Sequence, residues 1–247
     1  MESGQRAYPF FAMLSRMRHI NRWGLMRNTR SENIQEHSLM VAIIAHALAL
    51  IRNRHFGGRL NADRVAVVAM FHDCDEILTG DLPTPVKYFN ESILNAYREV
   101  ECAAKDRLLS MLPEDIRPDY RGLLYYGGGD RGENCDDHIR DTGGGDANGG
   151  DANGGGANGV TAAVDRDAGG VAAIVGGDKD IWPLVKAADA ICAYIKCLEE
   201  LAGGNTEFAT AARSTKTKLD AIELPEVRMF VRDYVAAFSL SLDDYGI

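Results

Sequence analysis

The chain has 247 residues, 46% of them hydrophobic and 26% charged, enough to bury a real core in one or two globular domains. Its formal net charge of −9 at pH 7 argues against a partner that is a nucleic-acid polymer, which calls for a basic face, and leaves room for a small, locally held anion. Five scattered cysteines with no CxxC pair indicate neither a disulfide framework nor a thiolate zinc site, so a reducing cytoplasm is the simplest setting.

In chain order, the start "MESGQRAYPFFAMLSRMRHINRW" lacks a charged-then-apolar secretion signal. No run approaches the roughly 18 apolar residues of a membrane span, so no membrane partner is expected. "EHSLMVAIIAHALALIRNRHF" carries apolar residues at helical spacing, and "NADRVAVVAMFHDCDEIL" offers Asn61 as an N-cap and runs on to a stop at Gly80. A third helix is expected from the cap Asn90 to just before Pro113, and a fourth over "PLVKAADAICAYIKCLEELAGG", with Pro183 in its first turn and Gly203 beyond its end. The tail "LPEVRMFVRDYVAAFSLSL" reads as a fifth. Period-two patterns are hard to find, so the fold is expected to be all-α.

The exception is the stretch from about residue 127 to 178, where 17 of the chain's 26 glycines fall. "GGDANGGDANGGGANG" has almost nothing to bury and reads as a flexible insertion that divides the sequence but not a single domain. Neither a GxxxxGK[ST] pattern nor a strand-GxGxxG-helix context accompanies these glycines, so a phosphate-cradling loop is not indicated. "CDDHIRD" inside it reads as solvated loop rather than a metal cluster.

The chemistry concentrates in "AMFHDCDEILTGDLPTP", which sets five ionisable side chains in apolar, helix-like surroundings where burying charge is expensive. At about 100° per residue, Glu76 projects between His72 and Asp73, while Asp75 leans away. An imidazole beside a carboxylate, with a second carboxylate one turn on, offers two metal ligands and one acid/base group. Cys74 turns to the far side, for packing. Further ligands must come from elsewhere: His37 follows a polar stretch and can face a cleft, whereas His46, half a turn out of phase, takes a core or surface role. Asp189 borders an apolar stripe on the fourth helix, where it either faces a cation or simply pairs with Lys186 at i−3.

His37, the His72-Asp73 doublet and Asp189, each on its own helix in that order, resemble the H…HD…D pattern of HD-domain metal-dependent phosphohydrolases. The flanking "HINRWGLMRNTRSENIQEHSLMVAIIAHALA", "GDLPTPVKYFN" and "LVKAADAICAYIKCLEELAGGN" resemble the bacterial 5′-deoxynucleotidases of that superfamily. The likeness covers about residues 10–111 and 183–242, and it implies an HD-domain helical bundle.

That resemblance implies His37, His72, Asp73 and Asp189 as ligands of one divalent cation, cobalt, manganese or similar. The mixed nitrogen and oxygen set leaves open positions for water and a phosphate oxygen, and does not choose the metal. It implies Glu76 as the group that orients water or shuttles a proton. Arg22 is implied to hold the phosphate, as a fork of parallel donors can, whereas Arg16, Arg18 and Arg27 read as solvated. Trp23 would crowd a ribose 2′-hydroxyl and Asp81 accept from the 3′-hydroxyl, with Leu82, Pro83, Thr84, His72 and Asp189 completing the nucleotide contacts. The implied substrates are deoxyribonucleoside 5′-monophosphates, hydrolysed with little regard for the base by a cytoplasmic homodimer. Two other readings stand: an HD-type hydrolase acting on a deoxynucleoside triphosphate or cyclic phosphodiester, and an inactive nucleotide-binding scaffold.

Overall fold

The computed structural model describes residues 7–126 and 178–246. The glycine-rich stretch, and with it the expectation of a flexible insertion, lies outside the described residues. Among those described, the structure is helical, with a single isolated bridge, Asn21 to Asn33, in place of any strand.

A short helix α1 (Phe10–Leu14) and a 3-10 turn lead into a loop, then into α2 (Ile34–His55). Asn33 caps α2, its side chain accepting from the backbone N–H groups of Gln35 and Glu36. Helix α2 is the spine of the core. Its face of Val41, Ala45, Leu48 and Ala49 is buried against α3 (Ala62–Met70), α8 (Asp178–Ala202) and α10 (Pro225–Asp233). By length and composition alone α2 is apolar enough to cross a membrane, contrary to expectation. Its surroundings account for part of that composition: one face is buried in the core, while Leu39, Met40, Ile43 and Leu50 stay exposed.

Three helix boundaries correct the sequence reading. First, α3 stops at Met70 instead of running to Gly80. From Phe71 to Asp75 the backbone turns more tightly, with N–H groups reaching back three residues: His72 to Ala69 O (3.4 Å), Cys74 to Phe71 O (3.3 Å) and Glu76 to Asp73 O (3.1 Å). The His72 ring contributes to the break by donating from Nδ1 to Ala69 O at 2.8 Å. The single turn α4 (Glu76–Thr79) follows, and Gly80, at φ +74°, ends it as foreseen.

Second, α8 begins before Pro183, which lies within the helix rather than in its first turn, so the carbonyl of residue 179 lacks its usual partner there. Third, the expected tail helix is broken: α10 ends at Asp233 and a 3-10 turn, Val235–Ser239, buries Val235 against the core. Asn90 caps α6 (Glu91–Leu109) as anticipated, while α5 (Thr84–Lys87), α7 (Arg117–Leu124) and α9 (Ala209–Asp220) were not anticipated. Cys74 packs with Phe10, Leu108 and Leu112, as its far-side position suggested. Among the described residues, Cys74, Cys192 and Cys197 are free and buried.

Candidate metal centre and nucleotide site

Three separate elements meet where α2, the tight turn after α3 and α8 converge. Nε2 of His37 stands 3.1 Å from Asp189 Oδ1 and 3.7 Å from Asp73 Oδ2, and His72 Nε2 stands 3.0 Å from the same Asp73 oxygen. One donor atom each from His37, His72 and Asp189 falls within 4.8 Å of the others. Both imidazoles are fully buried as side chains, while the Asp73 and Asp189 side chains keep 19% and 27% exposure. The site is therefore closed behind the histidines and open over the carboxylates.

His72 shows what the cluster lacks. In the neutral ring its Nδ1–H is taken by Ala69 O, so Nε2 presents a lone pair, and that buried nitrogen makes no hydrogen bond. The neighbouring Asp73 oxygen is close but misaligned, and an ionised carboxylate has no hydrogen to give it. Two lone pairs facing one another in a buried space call for a cation between them, and the backbone carbonyl on Nδ1 holds the ring in the tautomer a metal ligand needs. The residues fit a divalent ion.

His37 is held differently. Arg22 Nη1 donates to its Nδ1 at 2.7 Å, so in the neutral ring Nε2 carries the hydrogen that Asp189 accepts. Ligation through Nε2 requires the other tautomer, and with it a turn of Arg22 away from the ring. Burial, and then the Arg22 charge, hold the His37 pKa down, which favours the neutral ring a metal takes.

The carboxylates divide. Burial pushes the Asp73 carboxyl up, but a protonated His72, whose own pKa that carboxylate raises in spite of burial, outweighs it and holds the group below the usual range; a cation in the cluster would take the place of that proton. Asp189 is likewise held low despite burial, by Lys186 and His37. Asp189 pairs with Lys186 at i−3, with Nζ 3.4 Å from Oδ2, while its Oδ1 faces the histidines. Glu76 opens α4 with Oε2 buried and unpaired, and burial, with the charges of Asp73 and Asp81, pushes its pKa up to about 10. A carboxyl beside a metal cluster that holds a proton at neutral pH is suited to proton transfer. The helical-wheel placement of Glu76 between His72 and Asp73 does not hold, because the helix is broken there; the tight turn brings it near Asp73 by another route.

Arg22 and Trp23 sit on a loop whose base is closed by Arg22 N–H to Glu32 O (2.9 Å) and Ile34 N–H to Ile20 O (3.0 Å). The Arg22 side chain, only 13% exposed, pairs with Glu32 at 2.9 Å and lies 3.9 Å from Asp189. Glu32 was missed, since ten residues separate it from Arg22 and no helical or strand period links them. Trp23 has φ +59°, the one positive value at a non-glycine residue among those described, a strain of about 1–2 kcal/mol for an L-residue. Its ring packs on Phe208, with centroids 5.4 Å apart.

Asp81 is raised by burial, a rise that Arg22 and the Trp23 backbone N–H partly offset. That places it with Arg22 and Trp23. Leu82 and Pro83 follow, half-buried, and Thr84 opens α5 at the exposed end. Helix α6 anchors this loop: Tyr97 Oη donates to Thr79 Oγ1 (3.3 Å), and Lys87 pairs with Glu101 (2.6 Å) while lying over the Tyr97 ring. Asp75, turned from the cluster as expected, is buried and faces Lys105 of α6 at 3.7 Å. His46 takes its surface role beside Asp63 at 3.5 Å, and Arg16, Arg18 and Arg27 are exposed as foreseen.

The fold is that of the HD-domain phosphohydrolases. An HD-domain phosphohydrolase from Listeria innocua superposes with a TM-score of 0.63 over 96% of this chain and 91% of its own, at 18% identity, and a conserved Pyrococcus furiosus protein with 0.55 over 93% and 96%, at 16%. The YfbR-like 5′-deoxynucleotidase family model matches residues 9–139 and 172–238. Curated 5′-deoxynucleotidases of Yersinia pseudotuberculosis and Yersinia pestis are 41% identical over 96% of this chain and 96% of theirs. The chain belongs to the YfbR-like 5′-deoxynucleotidase family, as its sequence motifs implied.

Proposed function

We propose that the protein releases phosphate from deoxyribonucleoside 5′-monophosphates, using one divalent cation held by His37, His72, Asp73 and Asp189. The observation that carries this reading is the buried, unpaired His72 Nε2 facing Asp73, inside a cluster that three distant segments build together. A bound cation supplies Lewis acidity, polarising a water nucleophile and offsetting the phosphoryl charge. Arg22, turned from His37, grips phosphate oxygens and aligns phosphorus for in-line attack. Glu76, once ionised, takes a proton from the attacking water and hands it to O5′ as the P–O5′ bond breaks, so that the sugar leaves with its 5′-hydroxyl.

Trp23 bounds the sugar at C2′, and Asp81 accepts from the 3′-hydroxyl, with Leu82, Pro83 and Thr84 framing the nucleotide beside His72 and Asp189. An apolar wall by itself rejects an added hydroxyl only about 10²-fold, so Asp81 shares in the discrimination. Phe11, Leu39 and Met70, all exposed, line one open groove of about 720 Å³ that suits a homodimer contact in a cytoplasmic enzyme.

The test is phosphate release by protein loaded with cobalt, manganese or zinc, offered deoxy- and ribonucleoside 5′-monophosphates, 3′-monophosphates and triphosphates. Metal-dependent release from 5′-deoxymonophosphates is expected, with Asp73→Asn lowering kcat about 10³-fold or more. Pyrophosphate or triphosphate among the products would replace this reading with a triphosphohydrolase.

A further inference from the structure

The pair Lys196 and Glu200, one turn apart on α8, is 5% and 1% exposed and lies outside the metal cluster. A buried ion pair is seldom more stabilising than apolar residues of the same shape, so its presence asks for another account. The Glu200 carboxylate accepts from Thr29 N–H (2.8 Å), Thr29 Oγ1 (2.7 Å), Arg30 N–H (3.3 Å) and Asn205 Nδ2 (2.7 Å), besides Lys196. Lys196 Nζ donates to Arg30 O at 2.6 Å, and Asn205 Nδ2 to Arg27 O at 2.7 Å. Every one of these partners outside α8 and Asn205 belongs to the tip of the loop that carries Arg22 and Trp23.

Two routes run from the pair to Trp23. Through the backbone, the clamped tip sets Asn28, whose Nδ2 donates to the carbonyls of Trp23 (3.2 Å) and Met26 (3.1 Å). Through packing, the Lys196 ammonium lies 5.9 Å over the Phe208 ring, which in turn abuts the indole. A left-handed backbone at a bulky residue persists only where its surroundings over-determine it, and both routes converge on that residue. Asp189 stands about three turns earlier on the same helix. One rigid element thus carries a ligand of the cluster and the clamp of the indole.

We propose that Glu200, with Lys196, is a positioning residue that holds Trp23 at a set distance from the metal cluster and so sets the preference for deoxyribose over ribose. This rests on the reading of Trp23 as the wall beside C2′.

The test uses the full chain with Trp182→Phe, leaving Trp23 as the sole tryptophan. Glu200→Gln keeps shape and loses charge. Thr29→Val loses only the hydroxyl and leaves the ion pair in place, so it carries the test should Glu200→Gln fail to fold. Thr29→Ser restores the hydroxyl. For each, the deoxy-to-ribo ratio of kcat/KM and the Trp23 emission maximum are measured. Glu200→Gln and Thr29→Val should lower the ratio about three- to tenfold, part of the roughly 10²-fold an apolar wall can supply, and shift the emission to the red, with Thr29→Ser close to the parent in both. An unchanged ratio in folded Glu200→Gln and Thr29→Val overturns the proposal. If Trp23→Ala moves the ratio and those variants do not, the positioning role alone falls; if Trp23→Ala leaves it unchanged, the sugar-wall reading falls and takes the positioning role with it.

Discussion

His72 shows how one side chain does two jobs. Its Nδ1–H ends α3 by taking Ala69 O, and the same bond leaves Nε2 bare toward Asp73. Glu76 is the complement, a carboxyl pushed up to about 10 by burial and like charge. It keeps its proton through neutral pH in the metal-free chain, and a cation beside Asp73 relieves the repulsion and draws the pKa down. Metal binding near pH 8 should therefore release up to one more proton from the wild type than from Glu76→Gln, read from the dependence of binding heat on buffer ionisation. Equal release by the two would remove Glu76 from the metal's reach. In turnover, Glu76→Gln should lower kcat about 10²- to 10⁴-fold.

At the scale of elements, α6 supports the site without entering it. Lys105 meets Asp75, Lys87 meets Glu101, and Tyr97 holds Thr79, so the turn bearing the His-Asp doublet and the loop bearing Asp81 are braced from one helix. Lys105→Met would leave Asp75 buried without its cation, and about 3 kcal/mol of stability should be lost in urea unfolding. Adding Asp75→Asn should recover much of it, because the uncompensated charge is then gone. Tyr97→Phe frees the Gly80 turn and should raise KM a few-fold with kcat nearly intact.

For the whole molecule, the Glu200 clamp joins α8 to the loop before α2. Burial works against the Glu200 carboxylate, but Lys196, Thr29 and Asn205 outweigh it and hold the pKa well below the usual range. A depressed carboxyl stabilises the fold above its unfolded value of about 4.3, and that contribution fades as pH falls below it toward the folded pKa. The stability gap between wild type and Glu200→Gln should be widest near pH 7 and shrink by about 1.4 kcal/mol per unit below pH 4.3. A gap that is constant with pH would show that the charge does not contribute.

Much of the candidate site was legible in the sequence because its candidate ligands are chemically distinctive and each announces itself locally: a histidine after a capping stretch, an imidazole-carboxylate doublet, a carboxylate on an apolar stripe. Helical periodicity likewise marked α2, α3, α6 and α8, since an amphipathic helix declares its buried face at a spacing of three and four. The breaks in α3 and in the tail were not legible, because a side chain competing for a backbone carbonyl, or a turn pulled onto the core, overrides local propensity. Glu32, Lys105 and Glu200 were hidden for a related reason: their partners lie ten, thirty and some 170 residues away, and no period connects them. The sequence by itself marked which residues are candidates to hold a metal and that the fold is helical, though it put the His72-Asp73 doublet on a helix where the structure has a tight turn. Only the tertiary structure decided which charges share a cavity, because burial and proximity, the two quantities that shift a pKa and leave a lone pair unmet, arise when separate helices pack.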